Sequence, residues 1–119
     1  MFIRDIKKCE KFKAGDESTF RELFNPRKDD LKVCYSLGEA RVKPGQTTRH
    51  HKLKSSEVYY ILQGKGVIFI DYDEEPVKKG QSIYIPPNKA QKIKNTGKED
   101  LVFLCIVHPA WRPDDEEVD

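Results

Sequence analysis

Residues 45–64 read GQTTRHHKLKSSEVYYILQG, with two adjacent histidines, a glutamate, and a glycine at either end. In an extended chain, residues of equal parity share one face. Extended geometry over TTRHHKL groups Thr47, Arg49, His51 and Leu53, with His50 and Lys52 opposite. In the following run Glu57, Tyr59 and Ile61 share a face. A histidine and a glutamate turned inward on neighbouring strands are costly to bury without partners. A divalent cation or a bound polar molecule would offset that cost.

The flanking sequence extends the same pattern. STFRELF (18–24) and LKVCYSLGEARV (31–42) alternate, and the second predicts Val33, Tyr35 and Leu37 on one face. EVYYIL (57–62) and GVIFIDY (66–72) are joined by Gln63-Gly64-Lys65, a hairpin turn by composition. QSIYIPP (81–87) stops at a double proline, AQKIKN (90–95) places Gln91, Ile93 and Asn95 together, and LVFLCIVH (101–108) is apolar on both faces. Short strands punctuated by Gly and Pro, with no long amphipathic helix, predict an all-β sandwich or barrel. Residues 113–119, PDDEEVD, read as a solvated acidic tail, Trp111 as a cap on one end of the barrel, and His108 as a structural edge residue.

At 119 residues the chain is expected to be one domain. Charged residues make up 35% of it, yet 22 Lys+Arg against 20 Asp+Glu leave a net +2, which argues against a nucleic-acid partner. A charge-rich surface is also common in thermophilic proteins. No apolar run has the length of a membrane span or signal peptide. Cys9, Cys34 and Cys105 form no CxxC pair, and Cys34 and Cys105 lie in apolar runs, so buried thiols and a reducing cytoplasm are expected.

Two spacings then coincide with a known pattern. Gly45, His51, Glu57 and Gly64 match G-x5-H-x-H-x3-E-x6-G, with Leu53 where the second histidine stands. Gly80, Pro86 and Asn95 match G-x5-P-x-G-x2-H-x3-N, with Asn88 in place of the glycine and Gln91 in place of the histidine. Residues 65–79 separate the two motifs, as in compact members of that family. The sequence resembles the cupins. The resemblance implies an antiparallel double-stranded jelly-roll β-barrel, one site in its mouth, and a homodimer.

In metal-binding cupins both motif-one histidines, the glutamate and the motif-two histidine hold the ion. Carried over residue by residue, this implies a set of His51, Glu57 and Gln91 for Zn²⁺, Mn²⁺ or Fe²⁺, with Leu53 unable to coordinate. Glu57 is the candidate proton carrier in isomerase, lyase or oxygenase chemistry on a small oxygen-rich molecule, sugar-like or a carboxylate. The alternative is a metal-free pocket in which Glu57 and His51 bind each other or a ligand, with Leu53 as apolar wall. Arg49 is expected either to hold an anionic ligand group or to form a surface ion pair. Tyr59 should line the pocket wall, and His50 should face solvent.

Overall fold

The computed structural model describes residues 1–119. Strands dominate, and the only helical segments are 3-10 turns at Ile6–Lys8 and Pro113–Asp115. Eleven strands follow in chain order: β1 (Phe12–Lys13), β2 (Thr19–Phe24), β3 (Ser36–Val42), β4 (His51–Leu53), β5 (Ser56–Gln63) and β6 (Lys65–Ile70). After these come β7 (Asp73–Lys78), β8 (Ser82–Ile85), β9 (Gln91–Asn95), β10 (Leu101–His108) and β11 (Glu116–Val118). One sheet has the order β1-β2-β3-β10-β5-β8 and the other β11-β4-β9-β6-β7. From β3 onward the chain passes repeatedly between the sheets, the antiparallel jelly-roll arrangement that the resemblance implied and one form of the sandwich or barrel that the alternation and turn signals predicted. No helix is long and apolar enough to cross a membrane.

Parity holds where the strands are regular. Glu57, Tyr59 and Ile61 are buried on β5, Gln91, Ile93 and Asn95 on β9, and His51 and Leu53 on β4. The shared core is built from Ile61, Ile68, Ile85, Ile93, Leu101 and Phe103.

Three expectations need correction. β3 begins only at Ser36, so Val33, Tyr35 and Leu37 are not one strand face; Ser36, Gly38, Ala40 and Val42 are buried instead. Cys34 precedes the strand and is exposed, whereas Cys105 is buried as expected. The acidic tail is not a free end, because residues 116–118 pair with β4 as β11. β7 gave no strand signal, since DEEPVK is charged, contains Pro76 and lies at a sheet edge where only Val77 is buried.

The motif glycines and asparagines have backbone reasons. Gly64 has φ +87°, and a Cβ there would approach the Asp100 carbonyl at 3.0 Å. Asn88, in place of a turn glycine, adopts φ 62°, a left-handed conformation that asparagine tolerates. Asn95 is fully buried; its Nδ2 donates to the Val42 and Glu99 carbonyls, each at 2.8 Å, while its Oδ1 accepts from Gly97 N at 2.9 Å. That one side chain ties β9 to the end of β3 and to the following turn. Asn95→Ala would leave buried carbonyls unpaired and is expected to lower stability by roughly 2–4 kcal/mol in urea denaturation. A change under about 0.5 kcal/mol would show that these bonds are replaceable.

Candidate functional site

β3 faces the barrel interior with Ser36, Gly38 and Ala40, side chains too small to fill it. The space left is a cavity of about 200 Å³ between the sheets. Phe20, Leu53, Tyr59, Phe103 and Trp111 supply apolar wall, and His51 and Glu57 supply polar atoms.

The three residues singled out by spacing do converge. His51 stands directly opposite Gln91 in the β4–β9 pair, and Glu57 comes from β5 in the other sheet. Gln91 bridges the sheets: its Nε2 donates to Glu57 Oε1, and its Oε1 accepts from the Tyr59 hydroxyl at 2.8 Å. His51 Nδ1 lies 3.2 Å from the Arg49 carbonyl and 3.9 Å from Asp16 Oδ2. Facing a carbonyl, which only accepts, Nδ1 is the donor, and in the neutral tautomer Nε2 is left as acceptor.

Burial sets the electrostatics. Desolvation pushes the Glu57 carboxyl up to about 7, against the opposing pull of His51 and the Gln91 amide. Desolvation likewise holds the Tyr59 phenol and the Cys105 thiol well above their usual ranges. A carboxyl that changes charge near neutrality, beside an imidazole and against a cavity, can accept or release a proton.

The donor set does not fit a three-ligand metal centre in the arrangement it adopts. No three His, Cys, Asp or Glu side chains are grouped to hold an ion. The Gln91 carbonyl oxygen is already bonded to Tyr59, and Leu53 lines the cavity where the family pattern has an imidazole. Turning Gln91 toward an ion would strip the buried Tyr59 hydroxyl of its acceptor, at a cost of about 1–3 kcal/mol.

Arg49 does not line the cavity. β4 starts at His51, so the alternation that would turn Arg49 inward does not reach it. Its side chain is exposed and donates to the Asp119 carbonyl oxygen, while Thr48 is the buried neighbour. His50 lies outside the cavity with Nδ1 3.8 Å from Asp119 Oδ2. Trp111 lines the cavity rather than only capping the barrel, and its indole N–H donates to Glu116 Oε2 at 3.3 Å. Asp16 and Glu116 are site residues that the motifs do not mark. Asp16 belongs to the turn between β1 and β2, and Glu116 is brought opposite Leu53 by the β11–β4 register. The pairing of these distant segments has no local sequence signal.

Residues 38–107 match the family model for the cupin domain. An uncharacterized protein of Methanocaldococcus jannaschii is 40% identical over 112 residues, covering 93% of this chain and 89% of that one. An oxalate-binding protein of Thermotoga maritima is 37% identical over 71 residues, 57% of this chain and 59% of its own length. Among solved structures, a predicted oxalate decarboxylase from Thermotoga maritima superposes with TM-score 0.79 at 22% identity, covering 91% of this chain and 99% of that one. A nucleoside dehydratase from Streptomyces gives TM-score 0.81 at 18% identity, covering 100% and 91%. Identities this low carry the fold and no more. The varied names attached to one barrel leave the reaction to the side chains inside it.

Glu57 makes stability depend on pH. Its folded value, about 7, lies above its ordinary value of 4.5, so the folded state binds more protons between them. Stability is therefore expected to fall as pH rises through that window, by roughly 3 kcal/mol in the metal-free protein. Glu57→Gln should flatten the curve in denaturant titrations. An unchanged pH profile in the variant would assign the effect elsewhere.

Proposed function

Because the chain belongs to the cupin family, we propose that its function resides in the barrel cavity, which binds a small organic molecule without a metal ion. The polar end of the ligand is held at Glu57 and His51, and its apolar body lies against Leu53, Phe20 and Phe103. The observation that carries this reading is the chain of bonds from Tyr59 through Gln91 to Glu57. It satisfies the positions at which the family pattern places ligands, while His51 Nε2 remains for a bound molecule. A cavity of about 200 Å³ suits one ring with a short substituent, since a cavity of roughly 150 Å³ can hold benzene.

A metal-dependent reading has one observation in its favour. A histidine whose Nδ1 is fixed by a backbone carbonyl presents Nε2 as metal-binding histidines do. Metal analysis of untagged protein separates the two readings. Wild type is expected to hold clearly substoichiometric Zn²⁺, Mn²⁺ and Fe²⁺ and to show no saturable Zn²⁺ binding. Leu53→His combined with Gln91→His would rebuild the family donor set and should bind close to one equivalent. Stoichiometric metal in the wild type would overturn the metal-free reading.

We also infer that two copies associate through the outer face of the larger sheet. There Tyr60, Leu62, Tyr84 and Ile106 are exposed, and the β5–β10 and β5–β8 registers bring them together with Val58 and Leu104. β1, the edge near the N-terminus, is only two residues long and offers little ladder, which favours the face over edge-to-edge addition. Sedimentation should give a homodimer, and Tyr60→Lys with Tyr84→Lys should convert it to monomer. A wild-type monomer at high micromolar concentration would rule the association out.

A further inference from the structure

The charge of the cavity is lopsided. Four lining side chains are carboxylic acids, Asp16, Glu22, Glu57 and Glu116, against a single lysine, Lys13, and no arginine. Glu22 is neutralised by Lys28 at 2.8 Å, and Lys13 is exposed. The other three acids are satisfied mainly by neutral donors, which bond them without cancelling their charge. Asp16 is buried and accepts from Ser18 N at 3.0 Å and Ser18 Oγ at 2.6 Å. Glu116 accepts from the Trp111 indole, and Glu57 accepts from the Gln91 amide.

Glu57 supplies a second, independent observation. It is 95% buried, from a relative exposure of 5%, and the bond from Gln91 occupies Oε1. Oε2 is left for the cavity that Glu57 lines. The fields of Asp16 and Glu116 both reach this carboxyl, so the three acids act on one region. Aromatic rings from Phe20, Tyr59, Phe103 and Trp111 surround the same space. Their negative faces also favour a cation.

We propose that the ligand carries a protonated nitrogen on a small aromatic or aliphatic body, and that the cavity disfavours carboxylates and phosphates. The inference rests on the ligand-binding reading above and names the class of molecule that site takes. An ammonium group can donate to Glu57 Oε2 and to His51 Nε2 while its body fills the apolar wall. A ligand carboxylate in the same place would meet like charge with no arginine to receive it. The site thereby differs from the anion-holding role that the position of Arg49 first suggested.

Three probes of one shape separate charge from fit: benzylamine, benzyl alcohol and benzoate, titrated calorimetrically at mildly alkaline pH and constant ionic strength. Benzylamine is expected to bind at least about tenfold tighter than benzoate, with benzyl alcohol between them. Glu57→Gln should reduce the preference of amine over alcohol, read as the ratio of the two affinities within the same variant. Glu116→Gln, at the surface strand β11, provides the same readout if the Glu57 variant does not fold. Benzoate binding as tightly as benzylamine, or equal affinity for amine and alcohol, would overturn the charge assignment alone. No binding of any probe would overturn the ligand-binding reading and this inference with it.

Discussion

The bond between Gln91 and Glu57 is the contact on which the interior depends. It joins the two sheets across the barrel, and it gives a buried carboxyl a donor that carries no charge. Burial without that donor would be more costly, and burial beside a cation would remove the neutrality-range titration that Glu57 has here. The Tyr59 hydroxyl completes the chain by bonding the other end of the amide. A glutamine can serve both partners at once because it is donor and acceptor in one group. A neutral histidine could also bridge them only with its two nitrogens in one favourable tautomer, and as a metal ligand it would give up one of those bonds.

The cavity arises from size rather than from any special geometry. Ser36, Gly38 and Ala40 line one wall, while the aromatic rings on neighbouring strands of the same sheet are held by their own packing, as with Tyr59 on Phe103 at 4.6 Å between centroids. A Cβ on Gly38 would come within 2.1 Å of the Phe20 ring, so that ring sits directly against the backbone of β3. Small side chains beneath large ones usually close a core by interdigitation. Here polar groups at the mouth resist collapse, because closing the space would desolvate His51 and the free oxygen of Glu57 without giving them partners.

The mouth is assembled from both ends of the chain. The turn holding Asp16 is tied to β4 by the Arg49 N–H, which donates to the Asp16 carbonyl at 2.8 Å. β11 pairs with β4, and Gly15 of the same turn packs so closely on Glu116 that a Cβ would clash with its carboxylate. β4, only three residues long, lies between β11 and β9 in its sheet, with the Asp16 turn bonded just ahead of it. This placement makes the electrostatic character of the cavity a property of the termini as much as of the motifs.

Local physics made the barrel legible in the sequence. The alternation of Glu57, Tyr59 and Ile61, and of Gln91, Ile93 and Asn95, follows from the two-residue period of a strand, which holds wherever a strand is regular. Gly64 and Asn88 mark turns because their backbones must be left-handed. Those signals also placed His51, Glu57 and Gln91 inside. Alternation misled where the strand had not begun, at Tyr35 and Arg49, and was silent where a strand was short, charged and at an edge, as in β7 and β11. Composition could not reveal that the Gln91 amide is already shared between Tyr59 and Glu57, or that Asp16 and Glu116 stand at the same cavity. Hydrogen-bond partners and neighbouring charges are set by which distant strands lie side by side, and only the packed sheets decide that.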